Sequence, residues 1–165
     1  MSAQYFETDE LHPIDIVEHL AEHHEWDFDR VADDQITMVV AGQWRKYSIT
    51  IALSNFDETL RLVSTFGIDP PAEKLSVLYE TLNTINDQCW AGSLTYWDAH
   101  KLMVWRYGLV LAGGQIAGAE QIDTMIHDAV SSSERYYPAL QLVCWGDETP
   151  AEAMGIAMNE AYGTA

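Results

Sequence analysis

Within one seven-residue stretch of this 165-residue chain stand Glu18, His19, Glu22, His23 and His24, the densest group of residue types able to do chemistry. His19 and His23 are four apart, so on a helix both imidazoles could reach one zinc ion if His100 or His127 supplied a third ligand. The order lacks H-E-x-x-H, in which a glutamate beside the first histidine serves as general base. A solvated acidic helix with incidental histidines is the plainer reading, and imidazoles titrating near neutrality would make it a pH-responsive patch.

Other motifs fail on detail. Gly113-Gly114-Gln115-Ile116-Ala117-Gly118 lies between a strand and a helix, where a phosphate loop would sit. Its spacing matches neither G-x-G-x-x-G nor a Walker loop, and glycine's turn chemistry accounts for it. Ser131-Ser132-Ser133 has no G-x-S-x-G context, and Cys89 and Cys144 have no base beside them. Both cysteines fall at apolar helical positions and read as reduced, packed thiols. With 26 Asp and Glu, pairing any two as acid and base would be arbitrary.

Strand 101–112 carries a different signal because both of its faces are apolar. Met103, Trp105, Tyr107, Leu109 and Leu111 share one face, and Leu102, Val104 and Val110 surround Arg106 on the other. If helices cover one side of the sheet, the Leu102, Val104, Arg106, Val110 face needs a second cover, either the C-terminal segment or another subunit.

Positioning these residues requires a sheet and several helices. Pro13 with Ile14, Val17, Leu20 and Ala21 predicts a helix over 13–25. Period-two alternation then predicts strands over 26–32, 36–41, 47–53 and 59–67, broken by Asp33-Asp34, Gly42-Gln43 and Asn55 to Glu58. Asp69-Pro70-Pro71 precedes a helix over 72–90, and strands 93–98 and 101–112 form a hairpin. A helical stripe over 118–145 contains Pro138, which should kink or divide it; Pro150 opens a last helix to about Tyr162. Few long crossovers separate the strands, so the expected fold is α+β, an antiparallel sheet of five to six strands packed with helices.

Composition narrows the function classes. Hydrophobic residues at 48% against 21% charged place the chain among globular domains. Eight basic residues against 26 acidic ones give a net charge of -18, which disfavours nucleic acid and anionic lipid as partners. Residues 1–34 hold 11 acidic side chains and one basic one, an acidic face suited to solubility or to a basic partner. No apolar run reaches the ~18 residues of a membrane span, and the start shows no signal-peptide pattern, so a cytoplasmic location is expected.

Several segments together resemble the YbjN-type family, also called putative bacterial sensory transduction regulators. They are Pro13 to Val17, Trp26 to Arg30, Gly42-Gln43-Trp44, Ile85 to Trp90, and Glu134 to Gln141 running to Trp145-Gly146. The resemblance spans roughly residues 12–163. It implies a fold similar to type III secretion chaperones, small acidic proteins that are usually dimers and hold partner polypeptides. Ser93-Leu94 stands where the family is expected to carry a histidine-aromatic pair.

The expectation is a single domain over 12–163 behind a flexible acidic stretch, 1–11. It is expected to be a non-enzymatic protein-binding or regulatory module, chaperone-like and homodimeric. Leu102, Val104, Arg106 and Val110 are its partner-binding candidates, and no catalytic, cofactor or metal residue is assigned. The alternative is a small-molecule or divalent-metal sensor using the histidine-rich helix face or a pocket under the helices.

Overall fold

A computed structural model of the chain describes residues 12–161; the acidic stretch 1–11 and the last residues of the expected domain lie outside them. The first helix, α1 (Pro13–His23), starts where the sequence predicts. His12 caps it by accepting the Ile14 N–H on its side chain, and Pro13 occupies the first turn, where a missing N–H costs nothing. Glu25 ends the run in the left-handed region (φ 59°) and turns the chain into the sheet.

Four strands follow as a meander: β1 (Asp27–Ala32), β2 (Gln35–Ala41), β3 (Lys46–Ser54) and β4 (Thr59–Gly67). A 3-10 turn (Ala72–Lys74) leads into α2 (Leu75–Asp87). The hairpin strands β5 (Ser93–Trp97) and β6 (Leu102–Val110) come next, and Lys101 closes their connection with φ 53°. Two helices complete the chain, α3 (Ala119–Trp145) and α4 (Pro150–Ala161).

The six strands form one antiparallel sheet in the order β1-β2-β3-β4-β6-β5. β6 inserts between β4 and β5, so α2 must carry the chain past that position to the far edge. Alternation decides what each face buries. Ile36, Met38, Tyr47, Ile49, Ile51, Leu60, Leu62, Met103 and Trp105 pack with helix residues such as Ile14, Val17, Leu78, Ile126 and Leu140. The four helices of the described residues lie on that side; α4 packs on α2 and α3 rather than crossing to the other face.

Two outcomes differ from the sequence reading. α2 ends at Asp87 instead of running to residue 90, because the Asn86 side chain turns to bond both the N–H and the C=O of Leu94 on β5. α3 runs unbroken through Pro138. The lost backbone bond, worth ~3 kcal/mol in a helix interior, is offset by burial of Tyr136, Ala139 and Leu140 on either side. Among the described residues no helix is long and apolar enough to cross a membrane.

Candidate functional site

The helix-free face of the sheet is built from the residues that alternate with the core. Asp27, Asp29 and Val31 stand on β1, Thr37 and Val39 on β2, Ser48, Thr50 and Ala52 on β3. Thr59, Arg61, Val63 and Thr65 stand on β4; Leu102, Val104, Arg106 and Val110 on β6; Ser93, Thr95 and Trp97 on β5. Among these residues all but Val104 keep some exposure. The surface is mostly small hydroxyl and β-branched side chains.

Register gives the face a polarity. Asp29, Thr37, Thr50, Val63, Arg106 and Ser93 form one continuous cross-strand row, with a carboxylate at the β1 end and a guanidinium near the β5 end. Arg61 lies diagonally from Arg106 on the neighbouring strand. Arg61 is paired with Asp57 at 2.6 Å, whereas Arg106 has no hydrogen bond or ion pair among the described residues. Around them lies a cleft of about 730 Å³, open to solvent, lined by Arg61, Val63, Arg106, Gly108 and the fully exposed Trp90.

The four candidate residues on β6 therefore do not behave alike. Arg106 and Val110 are exposed and Leu102 is half-buried. Val104 is sealed within the chain between its row neighbours Thr65 and Thr95, so it offers no atom to a partner.

Both sheet edges are blunted. β1 carries outward aspartates and a register irregularity between Arg30 and Ala32. On β5 the Asn86 amide takes up the backbone groups of Leu94, at 2.8 Å for both bonds, in the place where another strand would pair. Gly92 is required just before β5, because a Cβ there would collide with the buried Trp105 indole. The free surface of this sheet is its face.

A second constellation lies where the β2–β3 loop meets α3. Glu134 accepts from the backbone N–H groups of Gln43 and Trp44, and Gly42 leaves room for its carboxylate. Arg45 lies over the rings of Phe66 and Tyr137 and donates to Gly67 O at 2.7 Å, while Trp44 stacks on Tyr137. This clamp binds a loop to a helix, which is a structural role. The neighbouring Tyr47 hydroxyl is pushed above its ordinary range by burial and then by the Glu134 charge.

The remaining candidates are accounted for. His19 and His23 are exposed, and His100 lies in the β5–β6 connection. His24, not His19 or His23, turns toward α3, where it meets Asp123 and His127. Gly113 and Gly114 take positive φ in an exposed turn, with nothing near enough to suggest a phosphate cradle. Ser133 bonds back to Ala129 O inside α3. Burial raises both thiols, Cys144 up to about 11, so both are poor nucleophiles. Asn86 and Glu134 were beyond sequence reasoning, their one signal being that they fall in the segments that carry the family resemblance; His24 stood in the histidine cluster, but helical spacing singled out His19 and His23.

Comparison with known proteins agrees with the architecture. Residues 13–142 match the model of the YbjN family, described as "Putative bacterial sensory transduction regulator". That description names a regulator and no catalytic activity. The crystal structure of YbjN from E. coli, described as a putative transcription regulator, superposes with a TM-score of 0.52 at 12% identity. It covers 82% of this chain and 92% of that one, and the likeness shows the fold. Among curated proteins no sequence matches.

Proposed function

We propose that this chain, which belongs to the YbjN family, is a non-enzymatic regulatory module that works through protein contact on its helix-free sheet face, with a second copy of itself as the occupant. The observation that carries this reading is the cross-strand row from Asp29 to Arg106. A two-fold axis parallel to the strands, passing over β3, lays β1 of one copy over β6 of the other and leaves β5 at the rim. Residues of one row stay at the same height, so Asp29 of each copy comes beside Arg106 of its partner. Such an isologous contact is self-complementary and closed.

Size supports it. At about 4.8 Å per strand and about 3.4 Å per residue the face measures on the order of 700 Å², near the ~800 Å² each partner buries in a stable interface. Sheets packed face to face lie about 10 Å apart. The net charge of -18 opposes self-association at long range, so the two Asp29–Arg106 pairs, desolvated at contact, must set the register.

Light scattering on size-separated protein tests this. Wild type is expected at twice 18.6 kDa, and Arg106→Glu and Asp29→Lys each as monomers. An equimolar mixture of the two variants recovers the dimer, because the contact then holds one native Asp29–Arg106 pair and one pair with its charges exchanged. A wild-type monomer at high concentration would reject the second copy as occupant; variants that remain dimeric alone would move the interface off this face.

A further inference from the structure

We infer that His24, Asp123 and His127 form a binding site for a divalent transition-metal ion of the Zn²⁺ type, joining the end of α1 to the first turns of α3. One ligand atom from each residue lies within 4.8 Å of the others. His24 Nε2 is 3.1 Å and His127 Nδ1 is 3.4 Å from Asp123 Oδ1. Tetrahedral zinc with bonds of about 2.0–2.1 Å holds its ligand atoms about 3.3–3.5 Å apart. Small rotations of the side chains therefore place all three around one ion.

The fold presents the set. His24 caps α1, its N–H bonded to Leu20 O, and the chain then turns so that Trp26 stacks on the imidazole at 4.4 Å and 19° between planes. That stacking holds the ring toward α3. Asp123 and His127 are one turn apart on the same helix face, and His127 Nδ1 also lies 2.9 Å from Asp123 O. The three residues are between 29% and 59% exposed, so an ion can enter and a fourth position stays open to water.

Chemistry sets the class of ion. Two imidazoles and one carboxylate suit zinc, copper or nickel, whereas magnesium and calcium take all-oxygen shells. Binding needs neutral rings whose metal-facing nitrogens carry no proton, so an N–H now directed at Asp123 shifts to the ring's other nitrogen or is released. The net charge of -18 raises the local concentration of any cation and does not by itself discriminate.

Titrating the full chain with Zn²⁺ against a competing chelator, in salt high enough to screen surface carboxylates, decides the matter. One equivalent is expected to bind. His24→Ala and His127→Ala should each weaken it at least tenfold, while the His19→Ala/His100→Ala double variant should bind as wild type. Zn²⁺ should raise the thermal midpoint of wild type but not of His24→Ala, and Mg²⁺ should raise neither. Far-UV circular dichroism establishes that each variant is folded. Equal binding by wild type and a folded His24→Ala/His127→Ala variant, or no bound zinc in wild type, overturns the site.

Discussion

Thr50 and Ile51 are adjacent in β3 and meet opposite worlds. Ile51 is sealed with Leu62 beneath the helices, whereas Thr50 points to the opposite face. The covered face is apolar, interlocked and indifferent to charge. The open face is largely hydroxyl and β-branched and carries a carboxylate at one end of one row and a guanidinium near the other. One face therefore holds the fold together, and the other is the surface on which the proposed contact rests.

The sharpest way to break the contrast is truncation at matched positions. Leu62→Ala should cost about 3 kcal/mol of unfolding free energy in urea titrations, because a cavity replaces close packing. Thr50→Ala should cost less than about 0.5 kcal/mol. Next come the contacts that close the covered side. Gly42→Ala drives a methyl group into Glu134 and Tyr47, for about 2 kcal/mol of strain. Glu134→Ala frees the Gln43 and Trp44 amides, for about 1.5 kcal/mol. Asn86→Ala strips Leu94 of both side-chain partners and should cost about 1 kcal/mol, read in the same titration, while leaving an edge more prone to pairing.

The smallest effects are electrostatic and follow pH. The carboxyls of Asp15, Asp57 and Asp147 are held below the ordinary aspartate range by hydrogen bonds from Arg30, Arg61 and Lys74. Depressed carboxyls stabilise the fold fully above the unfolded value of about 4, and that contribution is lost as pH falls through their folded values. The thermal midpoint should therefore hold steady from pH 6 to 5 and fall below about pH 4. Each increment is small because these groups are largely in water.

Much of the fold was legible because period and punctuation agreed. β4 runs from Thr59 to Gly67 as the alternation and the closing glycine indicate. α2 was overextended because Cys89 continues its apolar spacing while the backbone has already left the helix at Gln88, a departure set by the contact between Asn86 and Leu94. Pro138 does not divide α3, since tertiary burial outweighs a local breaker. Alternation placed Arg106 on the face opposite Met103 and Trp105, and only the register of six strands could align it with Asp29. The same limit hid the histidine cluster: His24 and Asp123 are 99 residues apart, and spacing along a helix pointed to His19 and His23 instead.

The face itself can be interrogated with a nitroxide attached at Thr50→Cys in a Cys89→Ser background, close to the inferred two-fold axis. Pairing across the open face predicts dipolar broadening of the spectrum that disappears when labelled chain is diluted with unlabelled chain. The same label at Glu80 on the outer surface of α2 should show none. A Thr50 spectrum as narrow as the Glu80 one, at concentrations where the protein is dimeric, would contradict the account.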